Sequence, residues 1–390
     1  MRHSTLGAAL AVLTSIFALT PVQAAQINTG GENGAYHSKF CPLLKEILAK
    51  AQFDYSCTTS LGSRENIKRV TGSPTQLAFS QLDVFALENV MLGGQDLFST
   101  IRTDIARECL FLVTKSKNFT NFGQVSSVAQ ALHFVLPPKL SGNTATFEFL
   151  QQIDPKGLGL ASNVTHAAST DDALDAVLNS DDETVMTIFV QFPDPDNARF
   201  KKIVEKGGHI VPVIDRNILR QEVSGQKIYF AEETEVASSG WVEKGVKLVT
   251  ACTPMVLFTG APERLEQGKE RQDQKDLIKT IRATPVDDLR PKTGFFAKLW
   301  KSTKSLSSEG LEKMLDASEQ AREQAGPMMD KAKEMGTQAL DKAGEMTEQA
   351  KEAAQPMMDK AKDMGAKALE KAGEMTDKAA ESAKEMMKKN

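Results

Sequence analysis

The stretch that decides the reading of this chain is Ile27-Asn28-Thr29-Gly30-Gly31-Glu32-Asn33-Gly34-Ala35-Tyr36-His37. After it, apolar residues recur at Phe40, Leu43, Leu44, Ile47 and Leu48, which is helical spacing. The run reads as a strand end, a glycine-rich turn and the first turn of a helix. Glycine lets a backbone come close to a ligand, and a helix N-terminus offers unpaired N–H groups and partial positive charge to an anion. Gly-Gly-x-x-Gly also occurs in ordinary turns, so the case for a site depends on what surrounds it.

Working outward, later segments repeat the design. Tyr55-Ser56-Cys57-Thr58-Thr59 reads as a strand, and Leu61-Gly62-Ser63-Arg64-Glu65-Asn66 as a turn opening a helix through Ile67 and Val70. Leu77-Ala78-Phe79-Ser80-Gln81 reads as a buried strand ending in the polar Gln81-Leu82-Asp83. His133-Phe134-Val135-Leu136 is strand-like, and Leu140-Ser141-Gly142-Asn143-Thr144-Ala145-Thr146 leads into the helical Phe147-Glu148-Phe149-Leu150. Alternating strands and helices predict an α/β fold, whose ligands gather at the carboxyl ends of the strands. Ser141 and Thr144 can cap the helix or hold a carboxylate, and the two roles can coexist. Arg64 either neutralises an acid or stays solvated, His37 either adds a donor or lies at the surface, and the Gln81 amide can meet both donors and acceptors.

Towards the N-terminus, residues 1–24 carry a basic end, an apolar run from Leu6 to Leu19 and the small-residue end Thr20-Pro21-Val22-Gln23-Ala24. This predicts a secretory signal peptide cleaved after Ala24 and a soluble, periplasmic mature protein. No other stretch approaches the length of a transmembrane helix. The net charge of -4 argues against a nucleic-acid protein. An even number of cysteines in an exported chain favours disulfides over metal. Of the three possible pairings of the 4 cysteines, the expected one joins Cys41 to Cys57, stapling the first helix to the next strand, and Cys109 to Cys252.

The runs Thr29 to Tyr36, Ser63-Arg64-Glu65-Asn66-Ile67 and Leu77 to Asp83 resemble the opening of the TAXI family, the solute receptors of tripartite ATP-independent periplasmic (TRAP) transporters. The resemblance continues through Glu108 to Val113, Val135 to Phe147, Phe189-Val190-Gln191-Phe192-Pro193 and Val249 to Leu257. It implies a type II periplasmic binding protein with two α/β lobes closing on a cleft. It also implies a small acid ligand, such as glutamate, glutamine or a 2-oxoacid, delivered to a membrane permease. The candidate ligand set is Gly31, Asn33, Gly34, Tyr36, Ser63, Arg64, Gln81, Asp83, Ser141, Thr144 and Gln191. Ser141-Gly142-Asn143-Thr144 is a near match to the family's Gly-Ser-Gly-Thr, whereas His37 stands where a second Tyr is common. These departures bear on the identity of the ligand more than on the existence of a site.

The expected organisation is a two-lobed binding domain over 25–260, with lobe 1 at about 25–120 and 235–260 and lobe 2 at about 121–234. A charged linker with a short helix over Glu266 to Ile281 follows across 261–304, and then a tail over 305–390. No catalytic, metal or cofactor site is expected: the histidines lie in unrelated contexts and no serine sits in a nucleophile elbow. Asp171-Asp172 and Asp194 with Asp196 read as polar turns.

The tail repeats. Pro327-Met328-Met329-Asp330-Lys331-Ala332-Lys333 recurs as Pro356-Met357-Met358-Asp359-Lys360-Ala361-Lys362, with apolar steps of three and four. This is helical periodicity, and the eleven-residue sub-repeats would favour a right-handed supercoil or coiled coil if the helices paired. The stripe is Ala and Met and offers little burial, so a solvated helical tail, self-association and docking on an envelope partner or membrane surface all remain open. Phe295-Phe296-Ala297-Lys298-Leu299-Trp300-Lys301 can dip into a membrane interface or pack on the globular part. The alternative to a receptor is an envelope scaffold or stress-protective protein in which the tail carries the function.

Overall fold

The computed structural model describes residues 25–93, 96–223, 225–237, 246–292 and 308–323. The expected signal peptide, the aromatic-basic segment 295–301 and the repeats beyond 323 lie outside the described residues. Among the described residues no helix is long and apolar enough to cross a membrane.

The first lobe is built on β1 (Ala25–Asn28), β2 (Tyr55–Thr58), β3 (Leu77–Gln81) and β4 (Phe98–Arg102), with α1 (Cys41–Lys50), α2 (Ser63–Gly72) and α3 (Leu82–Met91) between them. The second is built on β5 (Arg107–Thr114), β6 (His133–Leu136), β7 (Val164–His166), β8 (Val185–Gln191) and β9 (His209–Pro212). Between these run α4 (Phe122–Ser127), α5 (Gly142–Ile153), α6 (Thr170–Leu178) and α7 (Ala198–Glu205). After α8 (Arg216–Leu219) come β10 (Glu222–Val223), β11 (Gln226–Lys227), β12 (Phe230–Ala237) and the long β13 (Val246–Gly260).

The pairing decides the architecture. In the first lobe β2, β1 and β3 are parallel, and the C-terminal half of β13 inserts antiparallel between β3 and β4. In the second, β7, β6 and β8 are parallel, and β5 inserts antiparallel between β8 and β9. Both lobes therefore share one strand order, and each takes its antiparallel strand from the segment that crosses between them. The two crossing strands pair with each other at Arg107 to Cys109 and Cys252 to Pro254. This is the α/β fold expected from the sequence, two lobes joined by strands. Sheet membership changes before β5, earlier than the expected boundary near 120, because β5 finds its partners in β8 and β9.

Burial follows the pattern in the sequence. β3 and β8 are buried along their whole length, as strands covered on both faces by helices must be. The Cys41–Cys57 disulfide ties α1 to β2, and Cys109–Cys252 joins directly paired residues of β5 and β13. The segment 261–304, expected as a charged linker with a short helix over Glu266 to Ile281, holds α9 (Lys269–Ala283), which buries Leu277, Ile278 and Ile281 in the first-lobe core. Each such side chain contributes roughly 1.5–3 kcal/mol when fully buried, so this helix is a packed part of the lobe.

The start of the tail is packed as well. α10 (Ser308–Glu323) lies on the second lobe, with Leu315 buried among its core residues and Ser318 against Gly123. Arg216 meets Glu312, Asp316 and Glu319 of α10, while Arg322 reaches Asp154 and Asp215.

Candidate functional site

The glycine-rich turn forms as expected between β1 and the first helix. Gly34 N–H donates to the Gly31 carbonyl at 2.8 Å, and a π-type turn over Tyr36–Phe40 leads into α1. Asn66 of α2, fully buried, donates to the Thr29 carbonyl at 2.5 Å and to the Phe79 carbonyl at 2.8 Å, fixing the turn to its neighbours. His37 Nδ1 lies 3.0 Å from Thr29 Oγ1.

A cavity of about 180 Å³ opens between this turn and the second lobe. Gly30, Asn33, Gly34 and Tyr36 line it from the first lobe, and Gln191, Asn197 and Arg199 face them from the second. Glu108, on the crossing strand β5, closes its floor. Tyr36 stacks on Phe79 with centroids 5.4 Å apart, and its hydroxyl donates to Glu108 Oε2. Burial pushes the Glu108 carboxyl up to about 8, despite the opposing effect of that hydrogen bond. Desolvation and the neighbouring Glu108 push the Tyr36 phenol well above its ordinary range. Burial thus favours the neutral form of both groups at the floor of the cavity.

The far wall is preset by Arg199. Its Nη1 donates to Gln191 Oε1 at 2.8 Å, and its Nε donates to Asp171 Oδ1 at 2.7 Å. The hydrogen bond from Arg199 holds the Asp171 carboxyl below its usual range. Gln191 Nε2 has no hydrogen-bond partner among the described residues. The cavity thus presents a helix N-terminus, a guanidinium and a buried amide donor to one volume, together with an acid that can give or take a proton.

The other candidate residues form a direct seam between the lobes. Ser63 Oγ donates to Gln81 Oε1 at 3.2 Å, and Gln81 packs against Gly142 at the start of α5. A Cβ on Gly142 would lie 1.9 Å from Gln81 Oε1, so any larger residue there must move the Gln81 side chain. Gly62 is needed for both its space and its conformation, with φ of +131° and a Cβ position 3.0 Å from Gly142 N. Arg64 reaches Glu88 and Glu148, each at 2.6 Å, and the Lys139 carbonyl at 3.0 Å. Asp83 is fully buried and accepts from Thr146 at 2.6 Å and Tyr229 at 2.8 Å, both of the second lobe. Desolvation raises its carboxyl, against the lowering effect of those two hydrogen bonds.

Ser141 caps α5 by accepting from Thr144 N–H at 3.2 Å, and Thr144 Oγ1 donates to the Pro137 carbonyl at 2.9 Å. Of the candidate set, then, Asn33, Gly34, Tyr36 and Gln191 meet around the cavity, with Gly31 behind them in the turn. Ser63, Arg64, Gln81, Asp83, Ser141 and Thr144 are engaged with protein groups. Glu108 and Arg199 were missed. The signal for Glu108 was available: an acid directly before the buried run Cys109-Leu110-Phe111-Leu112-Val113 must either leave the strand or be used inside.

No protein-family model matches the chain, and no curated protein matches it. Solved structures do. A periplasmic transporter structure matches at 9% identity over 80% of this chain and 98% of its own, with a TM-score of 0.38. MatC from Rhodopseudomonas palustris, with bound malate, matches at 13% identity over 77% and 99%, with a TM-score of 0.39. A choline-binding protein of an ABC transporter, in complex with choline, matches at 11% identity over 65% and 77%, with a TM-score of 0.38. Likenesses at this level do not name a ligand, and the fold rests on the strand order described above.

Proposed function

We propose that this chain is an extracytoplasmic solute receptor of the TAXI type, which captures a small acid between its lobes and delivers it to a TRAP permease. The observation that carries this reading is the cavity between the glycine-rich turn and Arg199, where a helix N-terminus and a guanidinium face each other across the lobes. An anion there gains from the partial positive charge of the helix N-terminus and from the guanidinium N–H groups that Asp171 and Gln191 leave over, with Lys39 also in the lining. At about 180 Å³ the cavity is smaller than the roughly 300–1,000 Å³ of pockets for drug-sized ligands, which favours a compact acid such as glutamate, glutamine or a 2-oxoacid. The expected binding residues are Gly31, Asn33, Gly34, Tyr36 and Gln191, joined by Glu108 and Arg199.

Capture follows from the two crossing strands. A ligand touching the turn on one lobe and Arg199 on the other makes its full set of contacts only when the lobes are together, and so shifts the population towards that state. The test is a thermal-shift screen of the mature chain against small mono- and dicarboxylates and amino acids, followed by titration of any hit into Arg199→Ala. A ligand that binds only the folded state raises the melting temperature, by an amount that grows with the logarithm of its concentration over Kd. A hit whose affinity falls at least tenfold in the variant supports the reading, and a folded protein that responds to nothing in the panel removes it. In that case the scaffold role returns, with α10 fixing the tail to the second lobe as its support.

A further inference from the structure

A second, larger cavity of about 420 Å³ lies on the other side of the crossing strands. Arg107 and Glu108 are neighbours on β5 and so point to opposite faces: Glu108 lines the cleft and Arg107 the second cavity. Phe192 and Asp194 likewise line the cleft, whereas Pro193 between them lines the second cavity. The two volumes are back to back across one pair of strands.

The second cavity is built for a negative charge beside an apolar body. The Arg107 guanidinium carbon lies 4.0 Å from the Phe230 ring centroid and Lys227 Nζ lies 5.5 Å from it, while Pro193 and Pro254 supply apolar wall. Arg107 pairs with Glu232, and Asp104, at the edge, pairs with Arg102. Arg290 donates to the Ile105 and Asp104 carbonyls at 2.7 and 2.8 Å, and its Nη1 lies 3.3 Å from Asp287. Lys227 makes no ion pair among the described residues. With both carboxylates in the lining already paired, the cavity carries an excess of one positive charge.

We infer that this cavity binds a monoanionic organic acid with an apolar body, its carboxylate at Lys227 and Arg107 and its body against Phe230 and the two prolines. Because residues of both lobes and both crossing strands line the cavity, an occupant contacts the element that sets the lobes' relative position. The site is separate from the cleft and does not depend on the function proposed for it.

The probe is benzoate, titrated calorimetrically into the full mature chain with inorganic phosphate as comparison. Saturable 1:1 binding is expected, weakened about tenfold, or about 1.4 kcal/mol, in Lys227→Gln. Phe230→Leu should weaken it by a similar factor, and Tyr36→Phe, which alters only the cleft, should leave it unchanged. Lys227 is exposed on a two-residue strand, so its variant tests the site without risk to the core. Absence of saturable binding to the wild-type protein overturns the inference. So does wild-type affinity in both Lys227→Gln and Phe230→Leu, loss of binding in Tyr36→Phe, or phosphate binding as tightly as benzoate.

Discussion

The interlobe surface has two ends that look alike in sequence and differ in use. At one end Ser63, Gln81 and Gly142 close on each other, with Asp83 bridged by Thr146 and Tyr229. At the other, Gly30, Asn33, Tyr36, Gln191 and Arg199 stand around an open volume floored by Glu108. Both ends are made of polar residues at the carboxyl ends of strands and the first turns of helices. The difference is reach: at the sealed end Gly62 lies directly against the start of α5, whereas at the open end Tyr36 turns onto Phe79 and Glu108 and Arg199 onto Gln191 and Asp171, leaving the volume between them open.

The largest way to break this comparison is to release the crossing strands. Cys109 and Cys252 lie next to the open end and close a loop with a sequence separation of 143. Replacing both by alanine should cost about 5 kcal/mol on the loop-entropy account, read as the shift of the denaturant midpoint. A loss below about 1 kcal/mol would mean that the strands' own pairing holds them.

The sealed end answers to a single atom. Gly142→Ala places a Cβ where Gln81 Oε1 now sits and must displace a buried amide. Overpacking of this kind costs about 2 kcal/mol. The double variant Gly142→Ala with Gln81→Ala should regain part of that loss, and a double variant no more stable than Gly142→Ala alone would locate the strain elsewhere.

The open end answers to pH. Burial raises the Glu108 carboxyl from its ordinary 4.5 to about 8. Between these values the folded chain holds a proton that the unfolded chain has released. This contribution to stability is therefore complete below about pH 4.5 and is lost as pH rises to about 8, with a slope of at most about 1.4 kcal/mol per pH unit. Asp83 titrates in the same sense, also through burial. Glu108→Gln should flatten the fall in melting temperature across this window without removing it. An unchanged profile would show that Glu108 is ionised in the fold.

The fold was legible because its signals are local. The three strand–turn–helix units around Gly30, Gly62 and Gln81 are written in glycine placement and apolar spacing. The crossing of β13 is not, since its fifteen residues read as one strand and only pairing shows that half of it serves each lobe. Of the residues around the candidate cavity, the turn and Gln191 were legible. Whether Ser63, Gln81 and Ser141 meet a ligand or each other depends on how closely the lobes approach, which no local pattern encodes. The packing of α10 was hidden for another reason: Leu311 and Leu315 stand in a segment read as part of the tail, and no local pattern says that the second lobe covers them.

Arg64 makes the finest test. It bonds Glu88 within its own lobe and Glu148 and the Lys139 carbonyl across the seam, and its side chain is only 16% exposed. Half-exposed Glu148 is screened by solvent and contributes little, while Glu88, at 14%, is left without its cation when Arg64 is removed. Arg64→Ala should therefore cost about 1 kcal/mol of stability, the smallest of these effects. The affinity of the cleft for a small acid should stay within about threefold, because the guanidinium is spent on protein groups. A ligand-contacting arginine would give the reverse pattern, with affinity down tenfold or more and the melting temperature nearly unmoved. That outcome would mean that the seam opens in solution to expose Arg64, and that the two ends of the interlobe surface form one site.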